Sequence, residues 1–127
     1  MIGSDATALA PDGPLAREVF YGAYTWASWF WRRMVRETRT FTAQEAIRRL
    51  AGLPADTFGI HGRGYLRLGY KADLIAFDPE RFGETGNVSE PNRLAVGMSQ
   101  VLVNGVPTLR DGLLTGARGG EVLRRGA

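Results

Sequence analysis

Asp5 is the residue of this chain best placed to do chemistry. Two apolar residues, Met1 and Ile2, run through Gly3-Ser4 into Asp5, and the chain then breaks into Ala10-Pro11-Asp12-Gly13-Pro14. A short buried strand that ends this way aims its last carboxylate into a pocket, and strand–helix barrels carry their catalytic groups at such C-terminal strand ends. A carboxylate in that position can serve as a general acid or base. The same residues also fit an aspartate that only caps a turn. Taken alone, they leave both readings open.

The other candidates are weaker. Asp12 lies in the loop after Asp5 and either faces a ligand or makes a turn. Asp78, before Pro79, reads as a strand terminator. His61 is the only histidine and sits between Ile60 and Gly62 in a glycine-rich turn. A metal needs several convergent ligands, so His61 reads as a loop residue. Gly62-Arg63-Gly64 is not a phosphate loop, because no strand precedes it and no helix follows. With no cysteine, the chain holds neither a disulfide framework nor a thiolate metal site.

Residues 7 to 16 read as loop. From Glu18 to Glu37 the apolar period is helical: Phe20, Ala23, Tyr24, Ala27, Phe30, Trp31, Met34 and Val35 share one arc, with Thr25, Ser28, Arg32 and Arg36 opposite. Trp26 and Trp29 widen the apolar face. Seven aromatics between Phe20 and Trp31 call for a large partner surface. Core packing is the plain reading of this helix, with an aromatic ligand box or a membrane-surface helix as rivals. Tyr24 and Trp26 are the candidates to line a pocket. Thr42-Ala43-Gln44-Glu45 reads as a capping box that starts a helix ending near Ala51. Gly52 is expected to stop it, and Pro54 to start one further turn through Phe58.

From Gly59 the chain changes character. Ala72 to Phe77 reads as a short strand, residues 80 to 96 as irregular, and Ser99 to Val103 as another strand. Asn104-Gly105 is a strong hairpin signal. Val106 to Arg110 returns, with Pro107 at an edge or a bulge, and Asp111-Gly112 turns into Leu113-Leu114-Thr115. The class is α+β. A few strands with no covering layer, beside an over-aromatic helix, look like the end of something larger.

Bulk properties remove several functions. The 127 residues suffice for one ordinary domain, and the composition is globular rather than disordered. Fifteen of the sixteen basic residues are arginine, with Lys71 the single lysine, and they are scattered along the chain. Scatter of this kind marks solvated or paired faces, so nucleic acid is not an expected partner. No apolar run reaches the roughly 18 residues of a membrane span. With no leader pattern, the expected location is cytoplasmic.

Thr42-Ala43-Gln44-Glu45-Ala46-Ile47, Leu53-Pro54-Ala55, Gly59, Gly64 and Gly69-Tyr70-Lys71-Ala72-Asp73-Leu74-Ile75-Ala76-Phe77-Asp78 together resemble the C-terminal part of the amidohydrolase superfamily. Val101-Leu102-Val103-Asn104-Gly105 and Asp111 to Gly116 are similar to its closing hairpin. Gly3-Ser4-Asp5-Ala6, Leu9 to Leu15, Gly22 to Trp26 and Glu90-Pro91-Asn92 resemble the N-acyl-D-amino-acid deacylase branch, in which histidine is more usual than Tyr21.

The resemblance implies a metal-dependent (β/α)8 barrel with a small β-sandwich built from both chain ends. Residues 1–58 would be the barrel's last strand, loop and helices, and residues 59–127 the C-terminal share of the sandwich. Asp5 would be the catalytic aspartate, which in some members also touches the metal, and Asp73 a structural carboxylate of the strand signature. The implied activity is hydrolysis of the amide of N-acyl-D-amino acids with zinc. The other metal ligands belong upstream, so the chain alone is expected to bind no metal tightly and to be inactive. Its partners would be a small N-acyl amino acid, in the parent, and either the missing N-terminal barrel or a second copy. The alternatives are a non-catalytic interaction module derived from this superfamily, or a fragment of another member such as a dihydroorotase-like enzyme.

Overall fold

The computed structural model describes residues 2–6 and 9–124. Contacts group these residues into two units. One comprises Gly3–Thr40 and Pro79–Gly97; the other comprises Ile2, Phe41–Asp78 and the described residues from Met98 onward.

In the first unit, residues 10–18 fold as successive three-residue turns: Gly13 N–H donates to Ala10 O, Ala16 to Gly13, and Glu18 to Leu15. Helix α1 (Tyr21–Trp31) follows, and it runs on as a π-helical segment, Arg32–Glu37. The helix starts three residues later than the periodicity predicts. Thr38 ends it, its N–H and its hydroxyl both donating to Arg33 O.

The buried face of α1 matches the sequence expectation at Phe30 and Trp31 and departs from it at Thr25 and Ser28. Thr25 and Ser28, assigned to the polar side, are the most buried side chains of the helix, each 2% exposed. Both hydroxyls are satisfied within the helix, Thr25 donating to Tyr21 O and Ser28 to Thr25 O. Satisfied and short, they let another backbone come close. Gly86 supplies it: a Cβ there would lie 3.1 Å from Thr25 Cγ2 and 2.7 Å from Pro91 O. Residues 79–97 therefore run along the face that periodicity marks as polar. Phe30, Trp31 and Phe82 are buried beside it, and Trp31 Nε1–H donates to Pro79 O at 3.0 Å. Phe20, Tyr21 and Trp29 stay exposed.

In the second unit, α2 (Ala43–Ile47), a π-helical turn (Arg48–Gly52) and α3 (Leu53–Phe58) form one continuous rod. Thr42 Oγ1 accepts from Glu45 N–H at 3.2 Å, as the capping box predicts. Glu45's carboxylate turns forward instead of back and pairs with Arg48 and Arg49. Gly52 is not the stop. Its φ and ψ are −62° and −51°, and the rod passes through it. The lack of a side chain there serves packing, because a Cβ on Gly52 would lie 2.7 Å from the Tyr65 ring. Leu53 N–H reaches back five residues to Arg48 O. This wide turn carries the helix past Pro54, whose missing N–H and bulky ring strain an ordinary turn. Gly59, at φ 64°, is the actual left-handed C-cap.

The strands are β1 (Leu74–Phe77), β2 (Met98–Val103), β3 (Val106–Arg110) and β4 (Leu113–Leu114), forming an antiparallel sheet in the order β1-β2-β3-β4. Asn104 and Gly105 have φ of 51° and 79°, and Asp111 and Gly112 have 50° and 79°, as two-residue hairpin turns require. Leu102 faces Pro107 and Val101 faces Leu109, so a bulge sits beside Pro107, as its missing N–H predicts. β1 begins two residues late. Ala72 and Asp73 are occupied with the hairpin turn: Gly105 N–H donates to Ala72 O, and Asn104 N–H to Asp73 Oδ1. The buried apolar side chains among the described residues include Phe30, Trp31, Ala46, Ala55, Phe82, Pro91 and Leu109.

Candidate functional site

Asp5 lies in the first unit, exposed, with φ of 50°. Ala6 N–H donates to Ser4 Oγ at 3.2 Å, so the serine hydroxyl ties the backbone around Asp5. A left-handed φ costs an L-residue about 1–2 kcal/mol, least for aspartate and asparagine. Residues 2–6 form no strand ladder among the described residues, and Met1 lies outside them.

The loop between Asp5 and α1 carries two acids, Asp12 and Glu18, and one cation, Arg17. Tyr24 and Trp26 follow on the first turns of α1, both half-buried. Burial first, and then the negative charge of Asp12, push the Tyr24 phenol above its ordinary pKa. Tyr24 therefore stays a neutral hydroxyl at physiological pH. No hydrogen bond among the described residues joins Asp5 to Tyr24 or Trp26. The three share a unit and a stretch of chain, and the structure does not join them into a constellation.

The remaining candidates behave as structural residues. His61 is exposed in the turn before Gly62. Asp73 belongs to a polar hub: Arg63 bonds Asp73 and Glu121 as well as Asn104 Oδ1, and Asn104 Nδ2–H donates to Gly119 O at 2.6 Å. Its carboxyl is held below the usual range. Burial opposes the shift, and the Asn104 N–H together with the Arg63 guanidinium outweighs it. This hub explains why a Lys-Ala-Asp segment and an Asn-Gly turn occur in one chain: the aspartate braces the turn.

Among the described residues, no three or more histidines, cysteines, aspartates or glutamates cluster as a metal site would require. One exposed carboxylate with no second ligand does not fit zinc by itself.

The family model for the amidohydrolase family matches residues 3–109. The chain is 40% identical over 98% of its length to the N-acyl-D-aspartate deacylase of Alcaligenes xylosoxydans xylosoxydans, of which it covers 24%. Among solved structures, a D-aminoacylase mutant in complex with CuCl2 superposes with a TM-score of 0.79 and 30% identity, over 84% of this chain and 22% of that one. The N-acyl-D-glutamate deacylase of Bordetella bronchiseptica, complexed with zinc and a phosphonate mimic of the tetrahedral intermediate, matches with a TM-score of 0.68 and 35% identity, over 70% of this chain and 19% of that one. The chain thus spans about a quarter of the length of the relatives it matches. On the match across residues 3–109 and the agreement of sequence and backbone with these deacylases, the chain belongs to the amidohydrolase family.

Proposed function

We propose that this chain is the C-terminal quarter of a zinc-dependent deacylase that hydrolyses the amide of N-acyl-D-amino acids, with Asp5 as its acid–base residue. The similarity to N-acyl-D-aspartate deacylase over 98% of the chain carries the reading. The element order favours a division at residue 58 into a barrel end (1–58) and a sandwich share (59–127), since among the described residues every helix precedes Gly59 and every strand follows it, whereas contacts group residues 41–58 with the sheet and 79–97 with α1. The exposed Phe20, Tyr21 and Trp29 support a missing partner surface, the remainder of the barrel.

In this reading the exposed Asp5 takes the proton of the attacking water and gives it to the departing nitrogen. An N-acyl amino acid also carries a carboxylate, which needs a cation. Arg17, exposed and the only cation between Asp5 and α1, is assigned that role. Tyr24 and Trp26 would form part of the pocket wall.

The test is a fusion that places this chain where the Alcaligenes relative has its own C-terminal quarter. With zinc supplied, the fusion should hydrolyse N-acetyl-D-amino acids, while the truncated relative, this chain alone and an Asp5→Asn fusion should not. Turnover by this chain alone, or full activity of the Asp5→Asn fusion, would refute the assignment.

A further inference from the structure

Glu90-Pro91-Asn92 belongs to the segment that runs along α1, and the order of contacts is regular. Arg36 donates to Pro79 O and Phe82 O, Arg32 holds Glu84, Gly86 closes over Thr25, and Asn92 Nδ2–H donates to Glu18 O at 2.6 Å. Contacts at 79, 84 and 86 thus pair with 36, 32 and 25, so the first arm of the segment is a strap laid antiparallel along the helix. The chain then turns at Asn87–Glu90 and returns beside that arm, Val96 bridging Gly83, with Asn92 at the start of the return. The Asn92 contact lies beyond the helix, on the loop that joins α1 to Asp5.

The local fold aims Asn92 there. Asn87 Oδ1 accepts from Ser89 N–H and Glu90 N–H, both at 2.9 Å, and Asn87 N–H donates to Glu90 O. This closes a tight turn over buried Pro91. Arg93 N–H bonds Pro91 O, so the backbone on both sides of Asn92 is fixed. The residue it grips, Glu18, follows Arg17 and ends the run of turns from Ala10.

We propose that Asn92 is a positioning residue. By gripping the Glu18 carbonyl it fixes the loop that carries Arg17 relative to Asp5, and so sets how the substrate carboxylate is held. This rests on the function proposed above for Asp5 and Arg17. The strap itself stands on contacts within one unit.

Two measurements test it. In this chain, amide hydrogen exchange is followed for Gly13, Ala16 and Glu18 and for the helix from Tyr21 to Glu37. Asn92→Leu keeps the branched shape and removes the donor. It should speed exchange of the three loop amides about three- to tenfold, the loss expected for one ordinary hydrogen bond. The helix, still held by Arg32 and Glu84, should be unchanged. Asn92→Gln, which keeps an amide donor, should restore part of the protection. Unchanged loop exchange in Asn92→Leu overturns the proposal. Equal loosening of loop and helix also overturns it, since Asn92 would then only support packing.

In the fusion enzyme, Asn92→Leu should raise KM for N-acetyl-D-amino acids severalfold with little change in kcat. The same change should leave KM alone for substrates whose carboxylate is amidated. A fall in kcat at constant KM overturns the positioning role. An inactive wild-type fusion refutes the function assigned to Asp5 and is told apart by the exchange result, which needs no catalysis.

Discussion

The pair that anchors the strap to the end of the helix is Arg32–Glu84, and replacing Glu84 with glutamine is the most informative single perturbation of this chain. Arg32 Nε lies 3.0 Å from both carboxylate oxygens of Glu84, and Arg32 Nη2 bonds the same carboxylate. The glutamate side chain is 12% exposed and the arginine side chain 29%. Fully exposed pairs contribute about 0–1 kcal/mol, and removing one partner of a buried pair costs about 3–5 kcal/mol. This pair lies between those limits. Arg32 also keeps Glu37 as a second partner. Glu84→Gln should therefore destabilise by about 2 kcal/mol at pH 7.

A double-mutant cycle with Arg32→Met, which keeps the apolar stem, isolates the pair from its surroundings. Urea unfolding read by tryptophan fluorescence reports on the unit through buried Trp31. The pH dependence provides a second check. Hydrogen bonds from Arg32 hold the Glu84 carboxyl below its ordinary range, against the upward push of burial. The folded pKa is thus the lower one. The coupling should be complete above the unfolded value of about 4.3 and should fade as pH falls through the folded value. A coupling under about 0.5 kcal/mol at pH 7, the usual scatter of independent sites, or one that strengthens in acid, would refute this account of the strap.

Further predictions concern the turns, the helix packing and the carboxylate proposed as the acid–base residue. Gly52→Ala gains about 1 kcal/mol of helix propensity but drives a methyl into the Tyr65 ring, an overpacking cost of about 1–3 kcal/mol. It should destabilise the wild type and stabilise a Tyr65→Ala background; thermal melts of the four variants decide it. Gly105→Ala meets nothing closer than 3.9 Å, so only its φ of 79° is strained and the cost should be about 1–2 kcal/mol. Gly119→Ala should cost more, because its Cβ would collide with Val103 O. Asp5→Asn should leave the chain's stability within about 0.5 kcal/mol, since the site is exposed and asparagine tolerates a left-handed φ. In the fusion it should lower kcat about 10²- to 10⁴-fold. A loss of folding in place of a loss of rate would show that Asp5 is a structural residue.

Local signals in the sequence determined most of the secondary structure. Asn104-Gly105 and Asp111-Gly112 specify their turns because few residues tolerate positive φ at both central positions, and Pro107 marks its bulge because it lacks an N–H. Thr42 starts its helix because a hydroxyl at that position satisfies an orphan N–H. Around Asp5 the sequence left a turn cap and a catalytic carboxylate both open, and the described residues 2–6 form no strand to decide between them. What the sequence did not show was set by distant contacts. Thr25 and Ser28 read as surface residues because periodicity weighs polarity, yet their hydroxyls bond within the helix and a glycine 58 residues or more away closes over them. Gly52 read as a stop because the Tyr65 ring that needs its missing side chain lies outside the local window. Asn92 gave no sign of its target, since its partner is 74 residues earlier in the chain. Backbone conformation follows from nearest neighbours and can be read residue by residue. Which face is buried, and which loop is held, depends on which surfaces meet, and tertiary structure alone decides that.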